Sequence, residues 1–134
     1  MLYVKSPIII KKGRLPVDLA NARIYLASPY THHDKAVVEE RYDATLVAFR
    51  FFLKHRLTIY SPIVHSHAAA AMGGLPIDFE FWGKHCLSFL ENWATEIWVL
   101  QIPGVDESVG VKAEVDFCGR LTRLINHRAV YFPL

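Results

Sequence analysis

Short apolar runs rich in β-forming residues alternate along this chain with longer helical patterns, and this alternation constrains the fold more than any other feature. Each run ends at or beside a proline, as a buried strand often does. The four runs are RIYLAS at 23–28, LTIYSP at 57–62, TEIWVLQIP at 95–103 and RAVYFP at 128–133. Strands alternating with helices predict a parallel sheet covered on both faces and joined by right-handed crossovers. We therefore predict an α/β fold, a single-domain three-layer sandwich with a parallel, flavodoxin/Rossmann-like sheet of four to five strands.

The segments between these runs complete the predicted organisation. Helical patterns cover about residues 35–55 and 78–93 and the segment around Glu114, whereas HSHAAAAMGGLP is expected to form a loop or a short helix. Because 134 residues fit one domain, residues 22–134 are predicted to form it. Residues 1–21 are predicted to be an added N-terminal arm, with a strand around residues 7–11.

Composition excludes several classes of partner. The net charge is only +2 and the basic residues are scattered, so no nucleic-acid polymer is expected as a partner. No stretch approaches the ~20 apolar residues of a membrane span, and the start of the chain lacks the apolar core of a signal peptide. The two cysteines, Cys86 and Cys118, lie in helical patterns without a CxxC pair. We therefore predict a cytoplasmic protein with buried free thiols and no membrane partner.

Glu114 is the most informative residue, because it occupies an apolar position. On a helical wheel it projects between Cys118 and Leu121, inside the apolar arc. A buried carboxylate is costly unless it is paired, hydrogen-bonded or protonated, so the position needs a structural partner or a function. Because Glu114 is near a helix start, we expect an ionised carboxylate. Ser108 and Gly110 could hold a phosphate or a sugar hydroxyl there.

The loops that follow the strands supply further candidates. In parallel α/β folds, ligands bind beyond the carboxyl ends of the strands, where the loops ASPYTHHD, SPIVHSH and QIPGVDESVG lie. Arg41 falls inside the apolar face of its helix and has either a phosphate or carboxylate partner or a side chain that extends to the surface. The remaining candidates are Tyr30 for stacking on a base, Ser28 for a substrate contact or a turn cap, and His65 or His67 for a substrate contact.

No metal and no cofactor are predicted. His65 and His67 would point the same way in an extended segment, but no Cys, Asp or Glu within their loop completes a ligand set. The chain also lacks the glycine-rich loops that bind ATP or dinucleotides, and it lacks the G-x-S-x-G turn of serine hydrolases. The serine hydrolase, ATPase and dinucleotide oxidoreductase interpretations are thereby weakened.

The stretches RIYLASPY and ESVGVKAEV resemble the nucleoside 2-deoxyribosyltransferase superfamily, which includes the deoxynucleoside 5′-monophosphate N-glycosidases. The resemblance covers about residues 23–132, and the S-x-G-x-x-x-E spacing is its most specific element. It implies that Glu114 is the nucleophile that attacks the anomeric carbon and that Tyr25 orients Glu114. It also implies that Ser108 binds a 5′-phosphate and that the protein is a homo-oligomer. Carboxylate attack at such a carbon is also sound chemistry in its own right.

The chain departs from the resemblance at the second acid. The family's aspartate in the helix before the third long strand falls here on Cys86 or Leu87, and another, where that strand begins, falls on Thr95. Asp78 is then the nearest candidate for protonating the departing base. We therefore hypothesise cleavage or transfer at the N-glycosidic bond of a deoxynucleoside or its 5′-monophosphate. The alternative is a catalytically weak nucleotide-binding module, a sensor or an interaction protein.

Overall fold

The computed structural model describes residues 1–16, 19–76 and 78–133, and it has an α/β fold. Its strands are β1 (Leu2–Val4), β2 (Ile8–Ile9), β3 (Arg23–Ala27), β4 (Thr58–Tyr60), β5 (Glu96–Leu100) and β6 (Ile125–Tyr131). Its helices are α1 (Lys35–Lys54), α2 (Pro62–Ala71), α3 (Phe79–Asn92) and α4 (Val109–Arg120), and a 3₁₀ turn spans Val105–Glu107.

One parallel sheet organises the molecule, with the strand order β1-β6-β5-β3-β4, and β2 also pairs with β6. Every strand pair is parallel, including Ile24 beside Glu96 in the central pair. The predicted fold class is confirmed. The sheet has six strands instead of four to five, because two strands come from the segment predicted to be an arm outside the domain.

The N-terminal segment is therefore part of the sheet and of the core. β1 and β2 both pair with β6, in the register Leu2 with Ile125 and Ile8 with Val130. Ile8 is fully buried and belongs to the same apolar cluster as residues of α1. The expected strand around residues 7–11 corresponds to β2, which is shorter. Nothing in the local pattern predicts β1, because its hydrogen-bonding partner is at the other end of the chain.

The sheet separates two apolar layers, as alternation along its strands requires. In β3, Ile24 and Leu26 face the layer with Ala48 and Phe52 of α1. Tyr25 and Ala27 face the opposite layer, which contains Cys86 and Leu90 of α3 and Val111 and Cys118 of α4. Both cysteines are free and buried, as predicted. The face that carries Tyr25 is thus the one covered by the helix of Glu114.

Side chains from the preceding loops cap the start of each helix. Asp34 accepts a hydrogen bond from the backbone N–H of Ala36, and Ser61 accepts one from that of Val64. Asp78 caps α3 and Ser108 caps α4 in the same manner. Such caps accept hydrogen bonds from backbone N–H groups that have no partner within the first helical turn. The segment predicted as a loop or short helix forms α2, whose first residue, Pro62, suits a first helical turn.

The remaining boundaries lie close to their predicted positions, except at the last strand. That strand was expected at 128–133 and begins at Ile125, because pairing with β5 extends it through the polar residues Asn126 and His127. No helix in the described part of the chain is long and apolar enough to cross a membrane.

Replacing Ile8 by Ala should destabilise the fold, because Ile8 is fully buried between the sheet and α1. We expect the free energy of unfolding to fall by about 2–5 kcal/mol, measured by urea denaturation. Ile9→Ala is the matched control, since the neighbouring side chain is 47% exposed and its loss should cost less than about 1 kcal/mol. Equal small losses for both variants would show that the segment contributes little to the core.

Candidate active site

A buried hydrogen bond joins the central sheet to α4. Tyr25 of β3 has no exposed surface, and its hydroxyl donates to Oε2 of Glu114. Glu114 is itself only 5% exposed. Packing of the β3 face against α4 places the two side chains opposite each other, inside an otherwise apolar layer. The partner that the sequence requires for a buried carboxylate is therefore Tyr25.

Burial dominates the electrostatics of this pair. It raises the pKa of Glu114 from 4.5 to about 8, and the hydrogen bond from Tyr25 opposes part of that rise. Burial and the neighbouring Glu114 also raise the pKa of Tyr25 well above its ordinary value. Glu114 is thus mainly protonated at neutral pH, contrary to the ionised state expected from its sequence position. One reason is that Glu114 is deeply buried. The other is that it is the sixth residue of α4, so it lies beyond the backbone N–H groups that the first turn leaves without a partner.

A cavity of about 630 Å³ opens above Glu114 at the carboxyl ends of the strands. This volume lies within the range of roughly 300–1,000 Å³ that is usual for small-molecule sites. Its walls come from the loops and helix starts that follow β3, β4 and β5, as expected for this class of fold. Seven of the ten candidate residues line it: Ser28, Tyr30, Arg41, Asp78, Ser108, Gly110 and Glu114.

Three candidates do not line the cavity. Tyr25 supports Glu114 from the sheet, as described above. His65 is exposed on α2, and its ring stacks against His85, with ring centroids 5.3 Å apart. His67 is hydrogen-bonded to Tyr30, with its Nδ1 2.8 Å from the tyrosine hydroxyl. The two side chains would point the same way only in an extended segment; this segment is helical, so they point in different directions.

Arg41 is the cation of the cavity. Its Nη1 donates to the carbonyl of Thr31 at 2.8 Å, and its guanidinium lies against Gly104. Gly104 has a φ of +95°, and any side chain there would collide with the guanidinium. The Nε of Arg41 is buried without a hydrogen-bond partner, and no carboxylate in the described chain lies within 4.0 Å of the guanidinium. Arg41 can therefore bind an anion.

Aromatic side chains also line the cavity, and the sequence did not identify them. Phe79 and Trp82 line the cavity, although the apolar pattern FEFW at 79–82 is more typical of a core or a subunit interface. Phe79 packs against Gly83 and Gly110, where an added Cβ would approach its ring to 3.2 Å. The indole N–H of Trp82 donates to the carbonyl of Pro76 at 2.7 Å. An apolar helical pattern looks the same whether it faces a core or a cavity, so no sequence signal separates the two cases.

Three carboxylates besides Glu114 line the cavity: Asp78, Glu80 and Glu107. All three residues are exposed. Asp78 uses Oδ1 to accept the backbone N–H of Phe81 at 2.9 Å, which leaves Oδ2 for another contact. Ser108 likewise accepts from Val111 N–H at 3.2 Å and keeps its own hydroxyl proton to donate. Glu107 directly precedes Ser108 in the chain, a proximity that could have identified it.

The two positions where the resemblance implies aspartates differ in location. Cys86 lines the cavity beside Glu114, whereas Leu87 packs into the apolar layer. Burial raises the pKa of Cys86 to about 12, so its thiol stays neutral. Thr95 lies at the amino end of β5, where its Oγ1 accepts the backbone N–H of Arg23 at 2.8 Å. Only the substitution at Cys86 therefore changes the chemistry of the cavity.

Comparison with known protein families assigns most of the chain to one family model. A protein-family model described as a domain of unknown function, DUF1937, matches residues 22–127. The matched segment contains Tyr25, Glu114 and every residue that lines the cavity, and it excludes β1 and β2. A search of curated proteins found none that matches.

Replacing Glu114 by Gln should abolish a pH dependence of stability. The raised pKa of about 8 means that the folded protein binds this proton more tightly than the unfolded chain does. The resulting stabilisation is complete below about pH 4.5 and is lost as the pH rises through 8, by about 1.4 kcal/mol per pH unit in between. Urea unfolding at several pH values should show this loss in the parent protein and not in Glu114→Gln.

The matched control for this measurement is Glu40→Gln, at an exposed glutamate of α1. It should keep the pH dependence of the parent protein. If Glu114→Gln also keeps that dependence, the buried carboxylate is not its source.

Proposed function

The chain belongs to the DUF1937 family, and we propose that it breaks or transfers the N-glycosidic bond of a deoxynucleoside or a deoxynucleoside 5′-monophosphate. The observation that carries the proposal is the buried Glu114 carboxyl group, held by Tyr25 at the floor of a cavity of nucleotide size. The resemblance of RIYLASPY and ESVGVKAEV to the nucleoside 2-deoxyribosyltransferases supports the same chemistry. Glu114 is the proposed nucleophile.

The first step is attack on the anomeric carbon. Oε1 of ionised Glu114 forms a bond to that carbon, and the bond between the sugar and the base breaks with its electron pair passing to the base. The hydrogen bond from Tyr25 engages Oε2, so the other oxygen is available for attack. That same hydrogen bond lowers the pKa of Glu114 and so favours the reactive carboxylate. A glycosyl ester of Glu114 is the product of this step.

The departing base needs a proton, for which Asp78 is the proposed donor. Its Oδ2 is not used by the helix cap, and the residue lines the cavity. In the second step, water or a second base attacks the sugar carbon, passes its proton to the Asp78 carboxylate left by the first step, and releases the Glu114 carboxylate. Water yields hydrolysis, whereas a base yields transfer, and both outcomes belong to the proposal.

The shape and charge of the cavity favour a nucleoside 5′-monophosphate. Phe79 and Trp82 offer apolar rings on which a base can stack. Arg41 supplies a positive charge without a carboxylate partner within 4.0 Å among the described residues, and Ser108 supplies a hydroxyl donor. A phosphate group could accept hydrogen bonds from the guanidinium of Arg41 and from the Ser108 hydroxyl. By the same resemblance we propose a homo-oligomer.

A second candidate function is nucleotide binding without efficient turnover. The observation in its favour is Cys86, whose neutral thiol lines the cavity where the resemblance implies an aspartate. Such a protein would be a sensor or an interaction module. It would be stabilised thermally by a nucleotide and would release no base from it.

Incubation with the four deoxynucleosides and their 5′-monophosphates should release free base from at least one of them, detected by chromatography. Glu114→Ala should lower that rate by about 10³-fold or more, because the covalent step is lost. The assay should span the pH range around 8, in which Glu114 ionises.

Asp116→Asn is the matched control for Glu114→Ala, because Asp116 is an exposed acidic residue of the same helix. It should retain full activity. Binding of a nucleotide without base release across this pH range would favour the second candidate function and contradict the first.

Arg41→Met should remove a preference for 5′-monophosphates over nucleosides. We expect kcat/KM for the monophosphate to fall by about 10- to 100-fold, the usual value of a charged hydrogen bond, with little change for the nucleoside. Arg41→Lys, which keeps the charge, should lose less. Arg50→Met, at an exposed arginine of the same helix, is the control. An equal loss for nucleoside and monophosphate would show that Arg41 does not bind the phosphate.

A further inference from the structure

Tyr30 connects the cavity to a group of side chains outside it. It follows β3 in the chain and lines the cavity, and its hydroxyl lies 2.8 Å from Nδ1 of His67. His67 is on α2 and does not itself line the cavity. The histidine can therefore influence a bound ligand only through Tyr30.

The imidazole of His67 is held on several sides. Its ring stacks on Tyr42 of α1, with centroids 3.7 Å apart and planes inclined by 14°. Its Nε2 lies 3.4 Å from a carboxylate oxygen of Glu39, also on α1. The side chain is only 13% exposed. Contact between α1 and α2 thus fixes both the position and the orientation of the ring.

This arrangement determines which nitrogen carries the proton in the neutral ring. Nε2 lies 3.4 Å from a carboxylate oxygen of Glu39, which can only accept, so we infer that the N–H is on Nε2. Nδ1 is then an acceptor, and the Tyr30 hydroxyl must donate to it. Once its single proton is committed to His67, the Tyr30 oxygen can only accept a hydrogen bond from the cavity.

We propose that Tyr30 is a specificity-determining residue that accepts a hydrogen bond from an O–H or N–H group of the ligand, and that His67 and Glu39 are positioning residues that hold it in this role. The pKa of Tyr30 is raised, chiefly by burial, so the phenol keeps the proton that it donates to His67. For a deoxynucleotide, which is the ligand class of the proposed function, the donor is either the sugar 3′-hydroxyl or an N–H of the base.

The first experiment measures the tautomer of His67 in the ligand-free protein, so it does not depend on the proposed function. The nitrogen chemical shifts of the ring should show a protonated Nε2 and an unprotonated Nδ1. Glu39→Ala should increase the Nδ1-protonated form, whereas Glu40→Ala, at the exposed neighbour, should leave the shifts unchanged. A protonated Nδ1 in the parent protein at neutral pH would overturn the proposal.

The second experiment measures binding of the four deoxynucleoside 5′-monophosphates and their 2′,3′-dideoxy analogues by calorimetry. Tyr30→Phe should weaken binding of the tightest deoxynucleotide by roughly 3- to 10-fold, the usual effect of one hydrogen bond. If the 3′-hydroxyl is the donor, the dideoxy analogue binds both proteins equally. If the base is the donor, Tyr30→Phe weakens binding of the dideoxy analogue by the same factor as binding of the deoxynucleotide. Tyr131→Phe, at an exposed tyrosine of β6, should change nothing.

The outcomes separate this inference from the proposed function. Base release that is accompanied by equal affinities for the parent protein and Tyr30→Phe would overturn the inference and leave the function standing. Tyr30-dependent binding without base release would support the inference and contradict the enzymatic function. Failure of all eight probes to bind would count against both.

Discussion

The hydrogen bond between Tyr25 and Glu114 is the constraint on which the site depends. Each group is buried in an apolar layer, where an unpaired hydroxyl or carboxyl group would cost several kcal/mol. Each therefore requires the other, and the pairing fixes how α4 lies against β3. It also sets the cavity floor at Glu114. The carboxyl group of Glu114 is thus held in place by the same contact that stabilises its burial.

On another side of the cavity, Arg41 connects two loops through its contacts with Gly104 and Thr31. The loop after β5 comes close to α1 only because Gly104 adopts a left-handed conformation and has no side chain. The guanidinium fills the space a side chain would occupy, and Thr31 holds its other end from the loop after β3. Two loops that follow neighbouring strands are therefore linked through one cation. The same contact positions the segment that leads into Ser108 and α4.

The sequence predicts those features of the structure that depend on neighbouring residues, and it misses those that depend on distant parts of the chain. The fully buried runs of β3 and β5 were recognisable, and so was Glu114, because a carboxylate within an apolar arc is unusual. The sequence did not show that β1 and β2 belong to the sheet. These strands have only three and two residues, and they form through pairing with β6. The protonation of Glu114 depends on how deeply the residue is buried in the folded protein, and the contacts of His67 depend on how α1 and α2 pack together. The periodicity of apolar residues along the sequence reveals neither feature.

Within the mechanism proposed above, Cys86 would act in two opposite directions. An aspartate beside Glu114 would disfavour a second negative charge there and raise the pKa of Glu114 further. The neutral thiol avoids that repulsion, and so makes the nucleophilic carboxylate easier to form. It also removes an acid from the centre of the cavity. Protonation of the departing base then falls to the exposed carboxylates of the cavity wall, so the substitution favours attack and hinders departure of the base.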